Sequence, residues 1–120
     1  MSQTRDRGAV MVEFAILVPL LLLLILAIVE FGYRYERGTV YNNAAFIAAR
    51  DYSINHDQAK AKTAANNAGW PSAYPFPTIA ACAVGANVTV TLTKSNEPSA
   101  TGAFGSAFAV TGTGVARCDS

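Results

Sequence analysis

Gly8–Tyr33, GAVMVEFAILVPLLLLLILAIVEFGY, decides the fold, because its uncharged centre from Phe14 to Val29 is too apolar to be left in water. At ~1.5 Å per residue, about 16 apolar residues make roughly 24 Å of helix, and the flanks from Ala9 to Tyr33 carry it to the ~30 Å of a bilayer core. The stretch therefore reads as a single membrane span. A buried core helix is the alternative, but the remaining residues, about 90 and mostly small and polar, are too few to wrap a helix that is apolar on every side.

The span carries Glu13 near its start, Glu30 near its end and Pro19 between them. A carboxylate at the centre of a membrane helix costs about 2.5–3.5 kcal/mol, less toward the interface, so each acid needs a reason. Glu30 has one in Arg34, at the i,i+4 spacing that lets opposite charges meet near the headgroups. Glu13 has no such neighbour, since Arg5 and Arg7 do not share its helical face at contact distance. Pro19 removes a backbone donor and clashes with the carbonyl of Ala15, so a kink is expected there.

A removable secretory signal would need a small-x-small site at the far end, and Ala27-Ile28-Val29-Glu30 offers none. A different boundary lies upstream, where Gly8 follows a short charged leader and Glu13 stands fifth after that glycine. This RGAxxxEFAxxxP pattern, Arg7 to Pro19, followed by a leucine-rich span, resembles the TadE-like minor pilins, or pseudopilins, of tight-adherence (Flp, type IVb) pili. The resemblance covers roughly the first 50 residues. It implies that a membrane-embedded prepilin peptidase cuts after Gly8 and leaves Ala9 as the new amino terminus. It also implies that Glu13 neutralises the terminal amine of a neighbouring subunit, setting axial register, because a subunit out of register would leave an unpaired charge in lipid. The implied partners are the peptidase, other pilins, the pilus assembly platform and the bilayer.

Composition agrees with a membrane-tethered module. The chain has 120 residues, 52% of them hydrophobic, enough for one span and at most one small domain. Its net charge is +1, with nine Lys and Arg scattered along the chain, which argues against a nucleic-acid footprint. Loss of Met1 to Gly8 would remove Arg5, Arg7 and Asp6 and leave a neutral chain. Arg5 and Arg7 stand on one side of the span and Arg34, Arg37 and Arg50 on the other, so the positive-inside count does not orient it. The shortness of the leader and the downstream cysteines favour an inside amino terminus in the cytoplasmic membrane, with the distal domain extracytoplasmic, either at the membrane or in a surface filament.

The expected layout is a leader at 1–8 without helix signals, a transmembrane helix at 9–33, a helical stalk with a second helix at 34–69, and a proline-rich connector with a β-hairpin at 70–120. The overall class is α+β. The helix should run on from Tyr33 to Tyr52, since Val40, Ala44, Ile47, Ala48 and Asp51 share one face. Tyr33, Tyr35 and Tyr41 suit an interfacial aromatic zone or a small core. The small side chains between Asn43 and Arg50 permit close approach, either to the chain's own domain or to a neighbouring subunit. Asn55-His56-Asp57-Gln58 resembles a capping box with Asn55 as N-cap, opening a second helix that stops at Gly69 with Pro71 beyond. His56 then falls in an exposed first turn, and as the sole histidine makes no metal site. WPSAYPFP, Trp70 to Pro77, reads as an extended connector whose aromatics lie over the edge of a core.

Val88, Val90 and Leu92 alternate with Thr89, Thr91 and Thr93 as a half-buried strand, and a second strand follows from about Ala107 to Cys118, weakened by Gly112 and Gly114. Placing Cys82 opposite Cys118 sets Val90 opposite Val110 and Leu92 opposite Phe108, all on one face, with a loop from about Ser95 to Gly105. The expectation is a Cys82–Cys118 disulfide stabilising by roughly 2–4 kcal/mol. The alternative is a pair of reduced, buried cysteines in a cytosolic domain.

The sequence has no Gly-rich phosphate loop, CxxC or HExxH, and the charges of the distal half, such as Lys94, Glu97 and Arg117, read as isolated. No catalytic residue, metal or cofactor is expected. The functional expectation is a minor pilin or pseudopilin, processed and assembled into, or priming, a tight-adherence pilus. The alternative is a single-pass anchor presenting a small binding domain.

Overall fold

The computed structural model describes residues 2–119. Four elements follow in order: helix α1, Ser2–Asn55; helix α2, Gln58–Asn67; strand β1, Asn87–Pro98; and strand β2, Ala107–Arg117. This is the α+β architecture read from the sequence. The molecule is 86 Å along its longest axis, close to the ~81 Å that 54 helical residues span at 1.5 Å each.

Helix α1 starts at Ser2, so the amino-terminal residues, read from the sequence as lacking helix signals, are helical from there on. Nothing between Ser2 and Arg7 breaks a helix, and Gly8 only weakens one locally. From Val10 to Val29 the large apolar side chains point into open space all round. That all-round exposure argues against the core-helix alternative, and the stretch is long and apolar enough to cross a membrane once. Beyond Val29 one face becomes buried: Glu30, Tyr41, Ala44, Ala45, Ala48 and Ala49 are covered by the rest of the chain. The small-residue face therefore packs on its own domain.

The capping box on Asn55 does not form. Helix α1 continues through Asn55, His56 takes a left-handed turn with φ 52°, and Asp57 is the N-cap of α2, accepting from the Ala59 and Lys60 amides. His56 lies in the link between the helices rather than in a first turn. Gln58 is used elsewhere: its amide bridges Pro77 O (2.7 Å) and the Ile79 amide (3.1 Å), pinning the connector to α2. Helix α2 ends as expected before Gly69, at φ 117°. Trp70 then turns inward, 2% exposed, edge-on to Tyr41 at 5.2 Å and to Tyr74 at 6.2 Å, so the connector aromatics do close one side of the core.

The strands form a two-stranded antiparallel hairpin, but in a register four residues away from the expected one. Val90 faces Gly114, Leu92 faces Gly112 and Lys94 faces Val110. The expectation placed bulk opposite bulk, which leaves no groove for a helix to lie in. In the fold α1 lies on it: a Cβ at Gly112 would overlap the Tyr41 backbone, and one at Gly114 the Ala45–Phe46 backbone. The two glycines are the groove in which the helix sits, with Val90 and Leu92 filling the space beside it. Because the shift is an even number, the inward face is preserved.

Cys82 is not on a strand. It precedes a turn at Ala83–Ala86 that brings it back to Cys118, whose backbone exchanges hydrogen bonds with Gly85 and Ala86 at 2.8 Å each. The Cys82–Cys118 disulfide forms with a Cα separation of 5.8 Å. Beyond Lys94 a bulge adds one residue to β1 before Glu97 pairs with Phe108. Without it Glu97 would point outward with Thr89, Thr91 and Thr93; the bulge turns it onto the buried face.

Candidate functional site

The features singled out in the sequence fall into two groups, set apart along α1. Gly8, Ala9, Glu13 and Pro19 lie on its free amino-terminal part; Cys82 and Cys118 close the domain at the far end of the hairpin. Gly8 is exposed, with nothing near the position a Cβ would take. Glu13 is also exposed, flanked by Val10, Met11, Val12 and Phe14, and makes no hydrogen bond or ion pair among the described residues. Pro19 stands inside α1, which is helical on both sides of it. From Gly8 to Val29 the helix thus presents an apolar rod with one acidic group on it, Glu13, which has no partner among the described residues.

The boundary between rod and domain is built at Glu30. Its Oε1 meets Arg34 Nε at 3.2 Å, the expected i,i+4 pair. Its Oε2 accepts from the amide and the hydroxyl of Thr101, both at 3.0 Å, from the loop at the tip of the hairpin. Arg34 in turn donates to Phe104 O and lies over the Phe108 ring at 4.7 Å. Glu30 is fully buried as a result. The Thr101 contact had no signature in the sequence, because it depends on a loop some seventy residues away that only the strand register places there.

A second carboxylate, Glu97, is the polar centre of the domain. Far from isolated, it is 3% exposed and accepts from Tyr41 Oη at 2.8 Å and Tyr33 Oη at 3.4 Å, with Lys94 Nζ at 2.7 Å and Arg37 Nε at 3.3 Å. Burial pushes its carboxyl up, but hydrogen bonds from Lys94 and Tyr41 and the charges of Lys94 and Arg37 outweigh that and hold it below the ordinary value. The same contact works in reverse on Tyr41: burial and the bond to Glu97 push its phenol well above the ordinary value. One signal for this site was present in the sequence, since Tyr33, Arg37 and Tyr41 recur every four residues as a polar stripe on α1. The arrangement holds charge still and presents no open face to a substrate, so its role is to lock the hairpin to the helix. No group of three or more His, Cys, Asp or Glu able to hold a metal occurs among the described residues.

Comparison with known proteins bears on the amino-terminal group. Residues 8–50 match the family model of the TadE-like proteins, a stretch that opens at Gly8, contains Glu13 and Pro19, and ends where α1 is buried under the hairpin. No curated protein and no solved structure matches the chain. Across residues 8–50 the chain is therefore similar to the TadE-like proteins.

Proposed function

We propose that this protein is a minor pilin or pseudopilin of a tight-adherence type IVb pilus, made as a precursor and cut by a prepilin peptidase between Gly8 and Ala9. The observation that carries the reading is Glu13: an exposed acid in an otherwise apolar stretch of helix, without a partner among the described residues, five residues after Gly8. Cleavage creates a new amine at Ala9, and an amine and a carboxylate from adjacent subunits would satisfy each other where neither could be left alone in lipid. Glu13 then sets register, and the apolar faces around it supply helix-to-helix packing. Pro19, lacking one backbone donor, is where the helix yields on extraction from the membrane.

In this reading residues 1–8 are the leader, 9–33 the membrane helix, 34–69 the stalk and second helix, and 70–120 the connector and hairpin. The amino terminus faces the cytoplasm and the domain lies outside; the disulfide supports that side, because such bonds persist in oxidising compartments. The protein acts by assembly and carries out no catalysis, and its partners are the peptidase, other pilins, the assembly platform and the bilayer.

The test is the intact mass of the protein from native membranes, with and without reduction and alkylation, followed by incorporation of Glu13→Ala into filaments. Loss of Met1–Gly8, cysteines that alkylate only after reduction, and a Glu13→Ala form that inserts but does not assemble are the expected results. An uncut chain, or normal assembly of Glu13→Ala, overturns the pilin reading in favour of a simple membrane anchor.

A further inference from the structure

The loop that joins the strands ends beside the membrane span. Thr101 reaches Glu30, Phe104 O accepts from Arg34, and the Phe104 ring lies 6.3 Å from that of Phe31. Phe31 is only two residues past Val29, the end of the apolar run, about 3 Å further along the helix. The loop is thus held at the level where hydrocarbon gives way to headgroups. We propose that it is a bilayer-interface anchor, with Phe104 and Phe31 together inserting into the outer edge of the lipid.

Four observations fit this occupant. From Ser99 to Phe108 the chain has no ionisable side chain, although charged residues precede it at Lys94 and Glu97. Phe104 and Phe31 are 42% and 65% exposed, so a contiguous aromatic surface is left uncovered by the protein. Gly102 and Gly105, at φ 73° and 115°, bracket Ala103-Phe104 and turn that pair outward at the tip. The fourth observation is the state of the backbone. Lipid tolerates irregular chain only where its polar groups are bonded within the protein, and part of the loop backbone is bonded in this way. The Ser99 amide donates to Ser106 O, Thr101 to Glu30, Gly102 to the Ser99 hydroxyl and Ala103 to the Thr101 hydroxyl, while Phe104 O accepts from Arg34. The same loop covers Glu30, which would otherwise stand bare at the membrane surface.

The proposal rests on α1 spanning the membrane and not on processing or filament assembly. It is tested with the full-length chain in phosphatidylcholine vesicles brominated at the headgroup end of the acyl chains. Phe104→Trp should lose emission relative to the same variant in unbrominated vesicles, while the wild-type protein, which reports buried Trp70 alone, should not. Leu21→Trp, at the middle of the span, serves as the membrane control in vesicles brominated near the methyl ends of the acyl chains. Unquenched Phe104→Trp beside quenched Leu21→Trp overturns the anchor and leaves the span intact. If neither is quenched, the span itself fails and the anchor with it. Protection of Phe104→Trp that appears only on self-association would place a second copy there and likewise overturn the lipid assignment.

Discussion

Glu97 shows how one residue can connect distant parts of a small chain. Replacing it with Gln keeps the shape but leaves Lys94 and Arg37 without their counter-charge, and about 1–3 kcal/mol of domain stability should be lost. Thermal unfolding followed by Trp70 fluorescence measures this. The pH dependence has two limbs. Because the folded carboxyl sits below its ordinary 4.5, its contribution is complete above that value and falls away as pH drops through the folded value. The Tyr41 phenol is shifted the other way, so its contribution is complete below its ordinary 10.0 and is lost as pH rises toward the folded value. Glu97→Gln should flatten the acid limb, and Tyr41→Phe should remove the alkaline one. At this scale the sequence was only partly legible. The i,i+4 pair of Glu30 and Arg34 could be read because both partners are on one helix; Glu97 could not, because its inward aim depends on a bulge.

Among the elements, the contact between α1 and β2 is the most demanding. Gly→Ala in a strand normally favours the folded state by limiting the unfolded chain. At Gly112 or Gly114 the sign should reverse, because the added methyl meets helix backbone that has nowhere to move. A loss of about 1–3 kcal/mol, or failure to form the disulfide in non-reducing gels, is the expected outcome. The second helix gives a sharper comparison. Asp57→Ala should destabilise by about 1 kcal/mol through loss of the cap, and Asn55→Ala by clearly less, in urea unfolding of the same protein. Element types followed from periodicity, since the apolar run, the alternating Val/Thr strand and the glycine stop before Pro71 are local patterns. Register and cap position did not. Both are settled by what packs against the element: the helix backbone above Gly112 and Gly114, and the connector that takes Gln58 away from a capping role.

For the whole molecule, the disulfide closes the open end of the hairpin while the Glu30 contact secures its tip. Reducing Cys82–Cys118, or replacing both cysteines with Ser, should remove roughly 2–4 kcal/mol and leave the membrane helix inserted, as seen by unfolding of the domain in vesicles that still retain the chain. The span was readable from the first 33 residues because lipid imposes one requirement on every side chain at once. The domain was harder to read, since its core is assembled from small residues whose partners are set by geometry. One feature of that geometry bears on mechanics. Strand β2 runs alongside α1 in the same direction, from Phe108 beside Tyr33 to Gly114 beside Phe46. A tug on the rod along its own axis therefore loads this seam in shear, with every contact resisting together, whereas a sideways pull would peel them open one after another.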